Sequence, residues 1–305
     1  MKHSSLMLLA AALGCGTLPE IDAPQELGAP SLAAAVQAEQ ARLIEEHDAT
    51  RLDILVLDVA TRAVLARAHV GAEGDVEIAS TLKPLTLGAA MDAGLDPARQ
   101  FDGEGGRWTL GEYELQDHHA EDSFDAQLML VRSSNIGAAK IAQEVGSARV
   151  GAFLRKLGLG QDIEAERWAS NEGLVLSTGI GFRGTPMELA GAYATLAADG
   201  WDGGERVISA ENAQSVRRML RAATEGDGTG RRARIDGMNV AGKTGSSRLE
   251  AGYGAWFAGM APADHPEIVV VVYAEVPEGY GGSVSAPSFA RIASAWTTRA
   301  QDEGE

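Results

Sequence analysis

Residues 76–91 read Val76-Glu77-Ile78-Ala79-Ser80-Thr81-Leu82-Lys83-Pro84-Leu85-Thr86-Leu87-Gly88-Ala89-Ala90-Met91. The run of Leu and Ala after Ser80 predicts a buried helix with the serine in its first turn, where backbone N–H groups lack intrahelical partners. Ser80 and Lys83 stand three positions apart, which puts both side chains on one helical face. That spacing suits a nucleophile and its base, because an amine touching a hydroxyl can take its proton as the oxygen attacks a carbonyl carbon. A lysine at its reference pKa of about 10.4 is well under ~1% neutral at pH 7, so burial or a second cation has to lower it. Ser-x-x-Lys is frequent by chance, and alone it reads more readily as a capping serine and a surface lysine.

Two further stretches change that balance. Arg132-Ser133-Ser134-Asn135-Ile136 contains a Ser-x-Asn, and Val240-Ala241-Gly242-Lys243-Thr244-Gly245-Ser246 contains a Lys-Thr-Gly on an apparent strand. Ser-x-x-Lys, Ser-x-Asn and Lys-Thr-Gly, in that order, are the signature shared by serine β-lactamases and penicillin-binding proteins. The segments around Ser80, around Ser133 to Gly146, Thr185-Pro186-Met187-Glu188-Leu189-Ala190, Gly228-Thr229-Gly230-Arg231-Arg232-Ala233 and Trp256-Phe257-Ala258-Gly259-Met260-Ala261-Pro262-Ala263 resemble the transpeptidase domain of class B penicillin-binding proteins. The likeness runs from about residue 35 to 297.

The 305 residues carry a formal net charge of −17 with an ordinary apolar content, enough for one large domain or two lobes with a real core. Nucleic acid is excluded as a partner, since its phosphates would repel so acidic a chain. Met1-Lys2-His3-Ser4-Ser5, the apolar run Leu6 to Leu13 and then Gly14-Cys15 read as a secretion signal; the run is far short of the roughly 20 residues that span a bilayer. Ala12-Leu13-Gly14-Cys15 resembles the bacterial lipoprotein cleavage box, in which the cysteine is acylated. With Cys15 the sole cysteine, no internal disulfide is expected. Residues 16–30, with Pro19, Pro24, Pro30 and several Gly and acidic residues, read as a flexible tether, and 31–300 as the transpeptidase domain.

Ser31 can cap an amphipathic helix from Leu32 to Glu46, and Leu52–Asp58 with Ala63–Ala68 predict a β-hairpin. From Ser80 to about Leu220 the pattern is mainly helical: Ser80–Ala93, Phe124–Arg132, Asn135–Val145, Ala148–Leu157, Pro186–Ala198 and Ala210–Ala222. Strand signals return at Gly237–Lys243, Gly254–Met260 and Ile268–Glu275, before a last helix from Ala286 to Arg299. Strands at both ends with helices between predict an α+β fold, in which distant segments close one largely antiparallel sheet beside a helical lobe. The resemblance implies five strands flanked by helices, with the motifs meeting at the seam between lobes.

The resemblance also implies the roles. Ser80 is the candidate nucleophile, Lys83 its base, and Ser133 the relay of a proton to the leaving amine. Asn135 would bind the substrate backbone, Lys243 would lower the pKa of Lys83 and attract an anionic substrate, and Thr244 would grip a terminal carboxylate. Gly245 would clear space for substrate along the strand, and the N–H groups of Ser80 and Ser246 would form an oxyanion hole. No cofactor and no metal are implied. The substrates implied are peptidoglycan stem peptides ending in D-Ala-D-Ala, with β-lactams as acylating mimics, on the periplasmic side of a membrane reached through a lipid on Cys15. Proteins of cell-wall synthesis are candidate partners. The class B pedestal and membrane helix are not recognised, so the tether and lipid are expected to take their place.

Several motifs compete with this reading. Gly179-Ile180-Gly181-Phe182-Arg183-Gly184 matches a dinucleotide fingerprint after the apolar Leu174-Val175-Leu176, but lacks the next buried parallel strand; a loop at the cleft, feeding a helix capped by Thr185 with Pro186 in its first turn, fits better. His118-His119 beside Asp117, Glu121 and Asp122 reads as a solvated loop, Asp227-Gly228-Thr229-Gly230 as a turn, and Trp256 and Phe257 as core. The same motifs serve carboxypeptidases, β-lactamases and non-catalytic, lipid-anchored sensors or scaffolds. Class A β-lactamases place a water-activating carboxylate in Glu-x-x-x-Asn, whereas Glu166 and Asn171 are one residue too far apart. A persistent acyl-serine is expected.

Overall fold

The computed structural model of the protein describes residues 31–302, so the signal segment, Cys15 and the tether lie outside the described residues. Five strands, β1 (Arg51–Asp58), β2 (Val64–Val70), β3 (Ala241–Leu249), β4 (Gly252–Ala261) and β5 (Ile268–Val276), form one sheet in the order β3-β4-β5-β1-β2, every neighbouring pair antiparallel. The chain therefore enters on two strands, leaves for about 170 residues, and returns to close the sheet. The helices are α1 (Leu32–His47), α2 (Lys83–Asp92), α3 (Ala126–Arg132), α4 (Asn135–Val145), α5 (Ser147–Lys156), α6 (Ala165–Trp168), α7 (Asn171–Leu176), α8 (Pro186–Ala197), α9 (Ala210–Thr224) and α10 (Ser285–Asp302).

Two apolar cores share the sheet. Leu52, Ile54 and Val56 pack with Leu32, Val36 and Leu43 of α1 and Phe289 and Ile292 of α10, while Leu55 and Leu57 join the core of the helical lobe. β1 and β5 are central and covered on both faces, so Ile54-Leu55-Val56-Leu57 and Ile268-Val269-Val270-Val271-Val272 read as unbroken apolar runs without alternation. α8 crosses the lobe-facing side of β5, β1 and β4. Its start is a capping box, as the sequence predicts: Thr185 Oγ1 accepts from Glu188 N, Glu188 answers to Thr185 N, and Pro186 takes the first turn. α2 is buried from Lys83 to Met91, the physical reason its sequence is apolar all round.

Three boundaries differ from the pattern-based expectation. The strand expected at Gly237–Lys243 begins at Ala241 and runs on to Leu249, which places Lys243-Thr244-Gly245 in its first half. Gly237 has φ +79 and belongs to the turn before it, and the polar Ser246-Ser247-Arg248 continue an edge strand whose outer side carries no partner strand. Residues 101–124, within the supposedly helical middle, carry a short hairpin, Arg107–Leu110 with Tyr113–Gln116, and the pair Phe101–Asp102 with Ser123–Phe124. Leu174-Val175-Leu176 ends helix α7, so the glycine run after it follows a helix and has no strand to make a dinucleotide turn.

Candidate active site

Ser80 lies in a single 3-10 turn, Ala79–Leu82, that feeds straight into α2. The turn is held from several sides. Ile78 N donates to Phe182 O at 3.0 Å, and Val76–Glu77 pairs with Arg183–Gly184. Trp256 Nε1 donates to Glu77 O at 2.9 Å, and the buried Tyr193 hydroxyl donates to Thr81 O at 2.8 Å. Trp256, expected as core, is core and also an anchor of this turn. Ala79, immediately before the serine, has φ +50, a left-handed conformation that is unfavourable for a residue with a Cβ and persists only where the surroundings impose it.

The glycine run beside the turn acquires its purpose here. Gly179 has φ +93, and a Cβ on it would fall 1.8 Å from Ala79 O. Gly179→Ala must therefore push the loop off the turn while adopting a backbone conformation that alanine resists, a combined loss of roughly 2–5 kcal/mol. A fall in melting temperature of roughly 5 °C or more is expected in thermal unfolding. A melt within 1 °C or so of wild type would show that the loop has no such contact to keep.

Lys83 and Lys243 are both fully buried, at 0% exposure, while Ser80 remains partly open to solvent. Lys83 Nζ lies 2.6 Å from Ser80 Oγ, 2.9 Å from Ser133 O and 2.7 Å from Asn135 Oδ1. Lys243 Nζ reaches in from β3 to Ser133 Oγ at 2.8 Å and Thr244 O at 3.1 Å. Ser133 thus joins the two amines, its carbonyl to one and its hydroxyl to the other. It can do so because it caps α3 in a left-handed conformation, φ 60 and ψ 38, that turns the chain into the cleft. Burial pushes the Lys83 amine down to about 7, partly opposed by the negative charge of Asp117. Burial and then the like charge of Lys83 push Lys243 well below its ordinary value. With a pKa near 7, about half of Lys83 is uncharged at neutral pH, where an ordinary lysine would be almost wholly charged.

Thr244, Gly245 and Ser246 follow Lys243 along β3. Thr244 Oγ1 is 2.9 Å from Thr229 Oγ1, so the segment Asp227–Gly230, read from sequence as a turn, supplies a second hydroxyl to the cleft. Ser246 is exposed and its Oγ accepts from Gly281 N at 3.1 Å. A Cβ on Gly245 would stand 3.0 Å from Thr81 Cγ2 and 3.2 Å from Ile78 O. Its bareness lets β3 approach the nucleophile turn. Glu166 is exposed on α6, apart from this group. A separate cavity of about 1040 Å³, lined by Arg62, Trp201, Arg217 and Asp264 among others, includes none of the predicted site residues.

Asp117 is the residue that sequence reasoning missed. Assigned to a solvated loop, its carboxylate instead accepts from Ser134 Oγ, from Asn135 N at 2.6 Å and from Ile136 N at 3.2 Å, capping α4. No spacing signal could have found it, because its partners are 17 to 19 positions away and the hairpin that carries it has no strong pattern.

The comparisons with known proteins follow the same outline. The family profile described as "Penicillin binding protein transpeptidase domain" matches residues 54–294. The chain is 27% identical to the "Probable peptidoglycan D,D-transpeptidase PenA" of Neisseria gonorrhoeae over 82% of its own length and 52% of that protein, and 28% identical to the "Peptidoglycan D,D-transpeptidase FtsI" of Escherichia coli over 71% and 42%. It spans about half the length of these curated relatives. Among solved structures, the apo transpeptidase domain of Burkholderia pseudomallei penicillin-binding protein 3 superposes with a TM-score of 0.81 at 27% identity, covering 88% of this chain and 94% of that one. A profile match across the whole sheet and lobe, with Ser80, Lys83, Ser133, Asn135 and Lys243 gathered at one seam, means that the chain belongs to the penicillin-binding protein transpeptidase domain family.

Proposed function

We propose that this protein is a serine-type peptidoglycan D,D-transpeptidase acting on stem peptides that end in D-Ala-D-Ala, and that β-lactams acylate it at Ser80. The observation that carries the reading is a buried amine with a pKa of about 7 lying 2.6 Å from a solvent-reachable hydroxyl. Neutral Lys83 takes the Ser80 proton as Oγ attacks the carbonyl of the penultimate D-Ala. The N–H groups of Ser80 and Ser246 receive the developing oxyanion, where losing one donor typically costs about 10² to 10³ in rate. The proton passes by way of Ser133, whose hydroxyl Lys243 holds at 2.8 Å, to the departing D-Ala amine. Thr244 and Lys243 receive the terminal carboxylate, and Asn135 the peptide backbone. An amine from a neighbouring stem then attacks the acyl-serine and restores the hydroxyl.

Glu166, the residue nearest in sequence to a deacylating base, is exposed on α6, which supports a long-lived β-lactam adduct. In this reading residues 1–15 direct export, Cys15 carries a lipid, residues 16–30 tether the domain on the periplasmic side of the membrane, and proteins of cell-wall synthesis are its neighbours. Among the described residues no helix is long and apolar enough to cross a membrane. Incubation with a defined pentapeptide and an amine acceptor tests the reading: release of D-Ala together with cross-linked product is expected. D-Ala release alone would make the protein a carboxypeptidase, and neither product, with normal penicillin labelling, would make it a sensor.

A further inference from the structure

The cavity set apart from Ser80 opens at one end of the sheet, between the β1–β2 turn, the β4–β5 turn, the end of α8, α9 and a short hairpin that pairs Trp201–Asp202 with Glu205–Arg206. Its volume of about 1040 Å³ is at the top of the range of ligand sites. Small groups such as Ala60, Ala198 and Ala263 form its apolar wall, beside the exposed indole of Trp201. Arginine sets its chemistry. Arg62, Arg217, Arg218 and Arg221 line it together with the carboxylates of Asp199, Asp264 and Glu267, a local excess of positive charge in a chain of net charge −17. Those carboxylates already have partners: Asp199 meets Arg217 at 2.6 Å and Gln214 at 3.2 Å, Asp264 meets Arg221 at 3.6 Å, and Glu267 accepts from the Trp296 indole at 2.7 Å. Arg218 has Ser215 Oγ alone among the described residues, at 2.6 Å.

Arg217 is the one buried arginine among the described residues, 6% exposed. Its hydrogen bonds all run through Nη1, which donates to Leu196 O at 2.9 Å, Ala197 O at 3.4 Å and Asp199 Oδ1 at 2.6 Å and so ties α9 to the end of α8. The other edge of the guanidinium, Nε with Nη2, has no hydrogen-bond partner among the described residues. That edge is a fork that takes both oxygens of a carboxylate. The domain itself uses the same edge in this way: Arg67 grips Asp53, Arg167 grips Glu172 and Arg291 grips Glu39, each through Nε and Nη2 to separate oxygens. Those three arginines are exposed, where water serves as well. On a side chain as buried as Arg217, donors left unmet cost more.

We infer that this cavity is a second binding site, for a peptide whose carboxylate enters the Nε–Nη2 fork of Arg217 with Arg218 beside it. The cavity is too large for a bare carboxylate ion, and its small apolar wall leaves room for a peptide backbone. Three carboxylates among four guanidinium groups leave charge enough for a monoanion, which favours a carboxylate over a dianion such as phosphate. A chain terminus and an acidic side chain offer the fork the same group. The site shares no residue with the Ser80 cleft, so it stands or falls apart from the acyl-transfer reading.

The experiment is isothermal titration calorimetry on protein first treated with penicillin, which closes the Ser80 cleft to carboxylates. The probes are acetyl-Ala-Ala-Ala as free acid, the same peptide as its C-terminal amide, and acetyl-Ala-Glu-Ala amide. Binding of one or both acidic probes, with a dissociation constant on the order of 0.1 mM, is expected, and the amide that carries no carboxylate should bind at least about tenfold more weakly. Whichever acidic probe binds tells whether the terminus or the side chain is the source. Arg217→Lys keeps a charge near Asp199 and loses the fork, and should weaken binding about tenfold or more. Arg218→Glu should weaken it about tenfold, and Arg149→Glu, the same change of charge on the exposed face of α5, less than about twofold. No binding of either acidic probe overturns the inference, as does equal binding of the neutral amide, wild-type binding by Arg217→Lys, or displacement of the peptide by an equal concentration of inorganic phosphate. If a thermal melt shows Arg217→Lys unfolded, Arg218→Glu against Arg149→Glu decides, and equal losses in the two overturn it. Protein that takes up no penicillin fails the functional reading alone; titrated untreated, it tests the cavity through the same variants.

Discussion

Ser80→Ala is expected to abolish covalent uptake of penicillin altogether, with the protein still folded. Each neighbouring hydroxyl already has a partner: Ser133 Oγ sits against Lys243 at 2.8 Å, and Thr81 Oγ1 donates to Ile78 O. Lys83 Nζ hydrogen-bonds to neither of them, and its hydroxyl contact is with Ser80 at 2.6 Å. Deleting that oxygen leaves the amine two acceptors, Ser133 O and Asn135 Oδ1, and a loss of about 1–3 kcal/mol, partly relieved by a further fall in its charge. Intact mass after incubation, wild type against variant, reads the result, and a thermal melt shows whether the fold is kept. An adduct on the alanine variant, mapped to Ser133 or anywhere else, would remove Ser80 as nucleophile.

Lys83→Arg should lower the acylation rate by roughly 10² to 10⁴, the usual contribution of a positioned general base. The guanidinium does not deprotonate in proteins, so charge is retained and basicity lost. Its fork also fits badly among three acceptors arranged around a single nitrogen in a fully buried site, so some stability is lost too. The wild-type profile carries the complementary expectation. Burial lowers Lys83 to about 7, so labelling should be near its plateau above pH 8 and fall about tenfold for each unit well below 7. Labelling of the arginine variant within about tenfold of wild type, or a wild-type rate flat from pH 5 to 9, would exclude Lys83 as the base.

Much of the fold was legible before any coordinates. Ile54-Leu55-Val56-Leu57 and the valine run of β5 announce strands buried on both faces, and Thr185, Pro186 and Glu188 announce a helix start, because these signals are local: propensity, periodicity and capping act within one turn or one strand. The end of β3 was placed too early because the residues that prolong it, Ser246-Ser247-Arg248, are polar and lie on the sheet's free edge, where burial imposes less of a pattern. The hairpin at 107–116 was missed for a related reason: strands four residues long carry too few positions to show a period.

The same division separates the parts of the site. The amino-acid sequence by itself determined which groups are candidates for the chemistry, since Ser80 and Lys83 are neighbours on one turn, and Ser133 with Asn135 and Lys243 with Thr244 lie within short motifs that keep their own spacing. Tertiary structure alone decided what those groups can do. Lys83 is lowered to about 7 only because the lobe and the sheet close over it and exclude water, Lys243 reaches Ser133 only because β3 closes the sheet, and Gly179 and Gly245 are bare because other segments come within contact of the turn that carries Ser80. Asp117 belongs wholly to this second class. Desolvation, charge–charge interaction and steric approach depend on distance through space, and for residues 17, 34 or 110 positions apart along the chain that distance is set by the packing of the whole domain.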